Sequence, residues 1–372
     1  MVMSSTCRRR GALPAVVVLL LVVEGSATAQ RARAQKREAA DVPEAVEWRP
    51  GPYADLLREA GDRNVPVLVS FLPREPSRHA RVRLGLFQSA EFREVSARCV
   101  PIVAMDADHP SAGGDPTAPC PFFPTIRCGD HVQMARTLFP IFAENGVIYP
   151  PVHLVLKPTG ELQERIENSA KQEQEPERDE KIVRAACEAS KAAGPGLDRG
   201  EYGKRIAQLR EADTALSQDD FAKAWGLLQC IREEVEIGAL PDRAAVAEEA
   251  VCKRAGEVLD WADRQVDAGE IAAAYDTFRQ IEAAFKKTPL GSRAQKERGR
   301  LERGKDTGPI IRAHKIALEA EDLLRKAEAC EAQGDVGRAL RVYEQILERY
   351  ADTPAAENAR IRVKTLRGQA DR

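Results

Sequence analysis

The chain has 372 residues, which is too long for one typical domain and favours two domains with appendages. Its hydrophobic fraction of 43% argues against a disordered chain, and aromatic residues at only 5% favour globular segments rich in helix. Charged residues make up 31% of the chain, yet the formal net charge is −2, so the basic footprint of a nucleic-acid-binding protein is absent.

The first 29 residues have the pattern of a secretory signal peptide. Arg8–Arg10 form a positive start, Ala15–Val23 an apolar core, and Ala27–Ala29 a small-x-small cleavage motif. A membrane anchor is the alternative, but it needs about 20 apolar residues and this run is shorter. We therefore expect cleavage after Ala29, a secreted or periplasmic protein without a membrane span, and a flexible polar leader over residues 30–44.

The next segment predicts an α/β arrangement. Pro52–Arg63 has the spacing of an amphipathic helix, and Arg78–Ala97 has that of a second helix. Val65–Leu72 and Cys99–Met105 have the apolar, β-branched composition of strands buried on both faces. A strand, a helix and a strand at this spacing predict a parallel crossover unit.

The following elements predict a hairpin and a closing helix. Tyr149–Leu162 reads as two strands around a Pro-Thr-Gly turn, and its opening prolines suit a cis bond at Pro151. Ile182–Ala192 then has helical spacing, and glycine and proline mark a break over residues 194–200. Before the hairpin, Val132–Ala143 is a predicted helix.

Residues 45–193 resemble the secreted thioredoxin-like family. The resemblance rests on Trp48 and the helix before the first strand, on the Val-Pro-Val-Leu-Val-Ser-Phe strand, on Phe92–Asp106, and on a proline nine residues before Gly160. It implies a thioredoxin-like domain with an insertion at about 108–146. It also implies that Pro151 is the cis-proline beside the active-site loop.

The position of the redox motif in that family holds no cysteine here. Family enzymes carry Cys-x-x-Cys at the start of the helix after the first strand, where this chain has Pro76-Ser77-Arg78-His79. Neither serine nor histidine can form the mixed disulfide of thiol exchange. Ser77 and His79 could act as nucleophile and base only with a third partner, and an N-cap serine with an exposed histidine is the simpler interpretation.

Two cysteines, Cys120 and Cys128, lie eight residues apart in the Pro-rich insertion. In an oxidising compartment they are reasonable disulfide partners that would clip the loop. A redox-active pair displaced into the loop and two separate thiols are the alternatives that remain open.

The other cysteines and the histidines predict no metal site and no cofactor. Of eight cysteines, Cys7 lies in the signal peptide, which leaves an odd number, seven, in the mature chain. None of the five histidines shows ligand spacing with a cysteine or a carboxylate, and Asp106–His109 is better explained as a polar strand-end loop than as a cation site. Small buried side chains are expected for most of the remaining cysteines, which are Cys99, Cys187, Cys230, Cys252 and Cys330.

Residues 201–372 predict an all-helical region with an internal repeat. Gln218–Leu228, Ala268–Phe278 and Gln333–Tyr343 align, and Thr288-Pro289 parallels Thr353-Pro354. Asp or Glu with glycine predicts a tight turn, the following alanine a close helix approach, and Thr-Pro the start of the next helix.

This pattern resembles degenerate tetratricopeptide repeats. The repeat starts are 50 and 65 residues apart, whereas regular repeats recur about every 34 residues, so additional helix must intervene. The resemblance implies a surface for a protein or peptide partner. The alternative is that these helices only pack against the thioredoxin-like domain or form a dimer.

The sequence as a whole favours a noncatalytic interaction or assembly module. It would combine a redox-inactive thioredoxin-like domain with tetratricopeptide-like repeats. A thiol-disulfide oxidoreductase that uses Cys120 and Cys128 is the alternative from another functional class.

Overall fold

The computed structural model describes residues 44–106, 118–167 and 175–370. The predicted signal peptide, all of the leader before residue 44 and most of the Asp106–His109 segment lie outside these residues. The chain divides into two compact units. We call residues up to 60 together with 65–194 the α/β unit, and residues 61–64 together with those from 195 onward the helical unit.

The α/β unit contains a four-stranded mixed sheet. Its strands are β1 (Val67–Phe71), β2 (Val100–Ala104), β3 (Val152–Leu156) and β4 (Leu162–Glu167), arranged in the order β2-β1-β3-β4. The predicted parallel pairing of β1 with β2 is confirmed, with Val69 opposite Ile102. The predicted hairpin of β3 and β4 is also confirmed, and Gly160 in its turn has φ +87°.

The sheet is covered on both faces, which explains why every residue of β1, β2 and β3 is buried. One face packs against α1 (Tyr53–Arg63) and α4 (Cys128–Phe142), with Leu56 and Leu138 in the contact. The other packs against α3 (Ala90–Ala97) and α5 (Glu175–Ala193).

Three predicted helix boundaries in this unit are wrong. The expected single helix over Arg78–Ala97 is two helices, α2 (Pro76–Leu84) and α3, separated by a short 3₁₀ turn over Leu86–Gln88. The cause is local, because Gly85 is the C-cap residue that ends α2, and the Ser89 hydroxyl accepts a hydrogen bond from the Phe92 N–H to start α3.

The other two helices begin earlier than predicted. Helix α4 begins at Cys128 instead of Val132, because the Asp130 carboxylate accepts from the Arg127 N–H at 2.8 Å and fixes the first turn. Helix α5 begins at Glu175 instead of Ile182. Its polar first turn carries no apolar periodicity, so the apolar pattern alone predicts a start that is too late.

The helical unit consists, within the described residues, of eight consecutive helices. Each helix packs against the next. The first begins at Arg199, inside the predicted linker, because the Asp198 carboxylate caps it by accepting from the Glu201 N–H at 2.7 Å. The helices are α6 (Arg199–Ser217), α7 (Phe221–Glu234), α8 (Leu240–Asp267), α9 (Ile271–Ala284), α10 (Pro289–Arg303), α11 (Thr307–Ala332), α12 (Val336–Arg349) and α13 (Pro354–Ala370).

The aligned repeat segments form equivalent helical hairpin turns. Asp219, Gly269 and Gly334 each have positive φ, at +54°, +85° and +80°. The alanines expected at close helix approaches, Ala224, Ala274 and Ala339, are fully buried. Both Thr-Pro pairs begin a helix as predicted, with the Thr288 and Thr353 hydroxyls accepting from the third following N–H.

The architecture is therefore an α/β unit followed by an all-helical unit, and the sequence prediction is confirmed at that level. Among the described helices, none combines the length and the apolar character that a membrane span requires.

Candidate functional site

Three segments of the chain leave or enter the sheet at one edge. Strands β1 and β2 are parallel, so their carboxyl ends lie at the same edge. Strand β3 is antiparallel to β1, and its first residue, Val152, pairs with Phe71 at the end of β1. The chain after β1, the chain after β2 and the residues before β3 therefore share this edge, which is where α/β proteins commonly place their sites.

The degenerate motif Pro76-Ser77-Arg78-His79 forms the first turn of α2. The expectation that Ser77 caps this helix is wrong, because Pro76 occupies the first helical position and Glu75 is therefore the N-cap residue. The side chains of Ser77 and His79 lie outside the described atoms, so their catalytic interpretation and the exposure of His79 stay predictions.

The Pro150–Pro151 peptide bond is cis, which is the geometry that the sequence predicts at Pro151. The Arg78 guanidinium donates a hydrogen bond to the Pro150 carbonyl at 3.4 Å. The cis-proline thus lies beside the first turn of α2, as expected from the sequence.

A compact loop brings Cys120 and Cys128 together. The Cys120 N–H donates to the Ile126 carbonyl at 2.7 Å, and Pro119 forms an isolated bridge with Arg127. The loop therefore closes on itself and returns the chain to the start of α4, whose first residue is Cys128. Both residues are thiols in the structure rather than a disulfide.

His131 joins the two cysteines to form a three-residue cluster, which we call the Cys2His cluster. The Sγ atoms of Cys120 and Cys128 and a ring nitrogen of His131 all lie within 4.8 Å of one another. The Cys120 Sγ is 3.8 Å from the His131 Nε2. Cys120 and His131 are buried, whereas Cys128 is partly exposed and gives the cluster its access to solvent.

The orientation of His131 is set by the strand before it. Its Nδ1 lies 2.9 Å from the Met105 carbonyl oxygen. A carbonyl oxygen only accepts hydrogen bonds, so Nδ1 carries the proton and donates it. In the neutral ring, the lone pair on Nε2 is then directed toward Cys120.

The surroundings of Cys120 hold it in the thiol form. Burial raises the pKa of Cys120 to about 11, and the neighbouring Cys128 adds to the effect, whereas the Phe122 and Phe123 N–H groups oppose it. A reactive cysteine requires a thiolate at neutral pH, usually in an electropositive and partly exposed setting. Cys120 therefore lacks the environment of a redox nucleophile.

Aromatic packing fixes the loop around the Cys2His cluster. Phe123 contacts the His131 ring edge-to-face at 5.9 Å and the Trp48 ring at the same distance. The Arg83 guanidinium on α2 lies 4.4 Å above the Phe122 ring. The helix that carries the degenerate motif and the cysteine loop are thus packed against each other.

A second polar pair, Ser70 and His153, lies inside the sheet. The Ser70 hydroxyl and the His153 Nδ1 are 3.0 Å apart on adjacent strands, and both side chains are fully buried. Burial and the nearby Arg178 lower the pKa of His153 to about 3, so the ring is neutral. Because substrate has no route to this pair, its role is structural.

The expectation that no histidine has ligand spacing with a cysteine is wrong for His131, and sequence reasoning also missed the Ser70–His153 pair. The spacing Cys128-x-x-His131 at a helix start places both residues on adjacent turns, and this short-range signal could have identified the histidine. No local pattern identifies the Ser70–His153 pair, because the two residues are 83 positions apart.

The remaining predicted positions do not extend the site. Cys99 is buried as expected, but the expectation of burial is wrong for Cys187, Cys230, Cys252 and Cys330, which are partly exposed. These four lie on amphipathic helices, where a cysteine at the edge of the apolar stripe keeps contact with water. Asp106 is exposed, and the rest of the Asp106–His109 segment lies outside the described residues.

Comparison with protein-family models and with curated proteins finds no match to this chain.

Proposed function

We propose that this protein is a noncatalytic interaction module in which a redox-inactive thioredoxin-like unit is joined to tetratricopeptide-like helical hairpins that bind a protein or peptide. The observation that carries the proposal is the sulfur-free first turn of α2 beside the cis Pro150–Pro151 bond.

Several features of the α/β unit support a thioredoxin-like origin. A parallel strand pair is extended by an antiparallel hairpin, and a cis-proline precedes that hairpin. The carbonyl of Pro150, the residue before that cis-proline, accepts a hydrogen bond from Arg78 in the helix turn that would hold the redox motif in an active family member. Because that turn has no thiol, the scaffold remains while exchange chemistry at this position is lost.

The helical unit supports the binding role. Its hairpin turns repeat the same positive-φ position and the same buried alanine, which is the physical basis of stacked repeats. Helix α8 buries one stripe, whereas Val246 and Trp261 lie outside that stripe and are 67% and 43% exposed. Exposed tryptophan is enriched in protein interfaces, so this outer side of α8 is the surface that we assign to the partner.

We also propose that the protein works in a secreted or periplasmic location. Support comes from the arginines, the apolar core and the small-x-small motif of the first 29 residues, with cleavage after Ala29.

A second candidate function is thiol-disulfide exchange through Cys120 and Cys128. The observation in its favour is that the two Sγ atoms lie within 4.8 Å of each other, so the two thiols are neighbours. The burial of Cys120 and its raised pKa count against it.

Site-specific photo-crosslinking of the full chain tests partner binding. A photoreactive residue would replace Val246 or Trp261 on α8, which lie about 22 Å apart along the helix. Leu84 is the matched control, because it is also a well-exposed apolar residue but belongs to the α/β unit.

We expect both α8 positions to form crosslinked adducts with a partner protein. An excess of this chain without the photoreactive residue should suppress these adducts, and Leu84 should form none. The same adduct from all three positions, or no saturable adduct from α8, would contradict the proposed binding surface.

A further inference from the structure

We propose that the Cys2His cluster, Cys120, Cys128 and His131, binds a thiophilic d¹⁰ metal ion, with Zn²⁺ as the ion that its donor set fits best. The site would lie at the start of α4, with two sulfur ligands and one imidazole nitrogen from the chain.

The spacing of the donor atoms fits such an ion. In a tetrahedral zinc site with Zn–S of about 2.3 Å and Zn–N of about 2.0 Å, sulfurs lie about 3.8 Å apart and sulfur and nitrogen about 3.5 Å apart. Cys120 Sγ and His131 Nε2 are already 3.8 Å apart, and no pair in the cluster exceeds 4.8 Å. Binding therefore requires movements of about 1 Å or less.

The identity of the donors selects the class of metal. Thiolates prefer Zn²⁺ and Cu⁺, and imidazole binds both, whereas Ca²⁺ and Mg²⁺ require oxygen ligands. The two cysteines would bind as thiolates, so uptake of the ion displaces their thiol protons to solvent. Three protein ligands leave one position of a tetrahedral ion for water or another small donor. Cys128 is partly exposed, so an ion can reach the cluster from solvent.

The histidine is positioned as a metal ligand requires. Its Nδ1 donates to the Met105 carbonyl, which leaves Nε2 to face the sulfurs. Metal-binding histidines commonly hold their second nitrogen by such a hydrogen bond, because it fixes both tautomer and ring orientation. The edge-to-face contact with Phe123 further restricts the ring.

The backbone also prepares the site. The Pro119–Arg127 bridge and the Cys120–Ile126 hydrogen bond close the loop between the two cysteines. The Asp130 carboxylate fixes the turn that carries Cys128 and His131. The ligands are therefore held close together by contacts that do not involve the ion, which lowers the ordering cost of binding.

Metal uptake by the full chain, purified with a phosphine reductant and freed of metal with a chelator, tests the proposal. Zinc and Cu⁺ would be titrated separately against chromophoric competitors, and Co²⁺ would report thiolate ligation through its charge-transfer band. We expect one ion per chain. Replacing any ligand should reduce affinity by more than the roughly 10- to 100-fold that loss of an outer-shell partner causes.

The variants are Cys120→Ser, Cys128→Ser and His131→Gln, and the matched control is Cys187→Ser. Cys187 lies in the same unit and is partly exposed, but it does not belong to the cluster. We expect the control to bind metal like the wild type. Preference for Cu⁺ over Zn²⁺, with the same dependence on the three ligands, would also support the site.

Alkylation of the wild type gives a test that does not depend on variant folding. Bound zinc should slow the alkylation of Cys120 and Cys128, mapped by mass spectrometry, but leave Cys187 unaffected. Three results would overturn the proposal: uptake that Cys120→Ser leaves unchanged, equal alkylation of the pair with and without zinc, or a Cys120–Cys128 disulfide in protein isolated from its native compartment.

Discussion

His153 shows how burial alone can determine the chemical state of a residue. It lies on the sheet face covered by α3 and α5, with Ser70 beside its Nδ1 and Phe87 in edge-to-face contact. Its Nε2 has no hydrogen-bond partner among the described atoms. A charged ring in this position would be strongly disfavoured, so the folded state keeps the neutral form.

We predict that His153 makes stability depend on pH. In the unfolded chain, His153 has its ordinary pKa of 6.5, whereas in the folded chain its pKa is about 3. The unfolding free energy should therefore fall as pH decreases from 6.5 toward 3, by up to about 5 kcal/mol in total.

Urea unfolding at a series of pH values checks this prediction. Carboxylates also contribute to the slope, so the informative quantity is the difference between the wild type and His153→Asn, whose amide oxygen can replace Nδ1 as the partner of Ser70. The variant should lose less stability over this pH range. Parallel curves for the two proteins would show that His153 does not titrate as described.

At the same scale, His131 marks where sequence reasoning stopped short. Two cysteines in one loop are a sequence signal by themselves, whereas the only local signal of His131 is its spacing of one helical turn from Cys128. The pairing of Cys120 with that turn depends on closure of the 119–127 loop, which is a tertiary property.

At the scale of elements, the sequence predicts the type of each helix and strand better than its ends. Apolar periodicity identifies the buried stripe, but caps and breaks determine where an element stops. Gly85 and Ser89 divide one predicted helix into two, and Asp198 starts α6 within the predicted linker. Each of these end signals is a single residue, so a prediction based on apolar periodicity over many residues does not detect it.

The repeat is the element-scale feature that the sequence reveals most directly. Gly269 and Gly334 occupy the left-handed position of their turns, and the first copy has Asp219 at the same position. Aspartate tolerates this conformation better than most residues other than glycine. The first copy thus keeps the turn while its sequence departs from the pattern.

We predict that Gly334→Ala destabilises the protein by about 1 kcal/mol. An added Cβ would meet no atom within 4 Å, so the cost comes from the φ of +80° alone. Gly337→Ala is the matched control, because it also has open space but lies in α12 with negative φ.

Chemical unfolding of the two variants, followed by far-UV circular dichroism, measures the difference. The control should be neutral or slightly stabilising. Equal effects of the two substitutions would mean that the left-handed turn is not required.

At the scale of the whole molecule, composition and the change from mixed to purely helical periodicity predict an α/β unit followed by a helical one. The pairing of β1 with β2 and of β3 with β4 also follows from the sequence, because these strands form a crossover unit and a hairpin. The sequence does not predict which loops meet at the sheet edge in atomic detail, since those contacts join residues as distant as Arg78 and Pro150.

The division of labour that we propose is binding by the helical hairpins on a scaffold that has no exchange chemistry. The first turn of α2 contains no sulfur. Cys120, one of the two cysteines that a displaced redox site would use, is buried, and its raised pKa keeps it as a thiol. Metal binding at the Cys2His cluster would further occupy the sulfurs that a redox cycle needs.

Insulin reduction by the full chain, with dithiothreitol as electron source, tests this account most directly. We predict that the wild type does not exceed the rate with dithiothreitol alone, and that Cys120→Ser is indistinguishable from it. Turnover by the wild type that is lost in Cys120→Ser and retained in Cys187→Ser would contradict the account and identify Cys120 and Cys128 as a working redox pair.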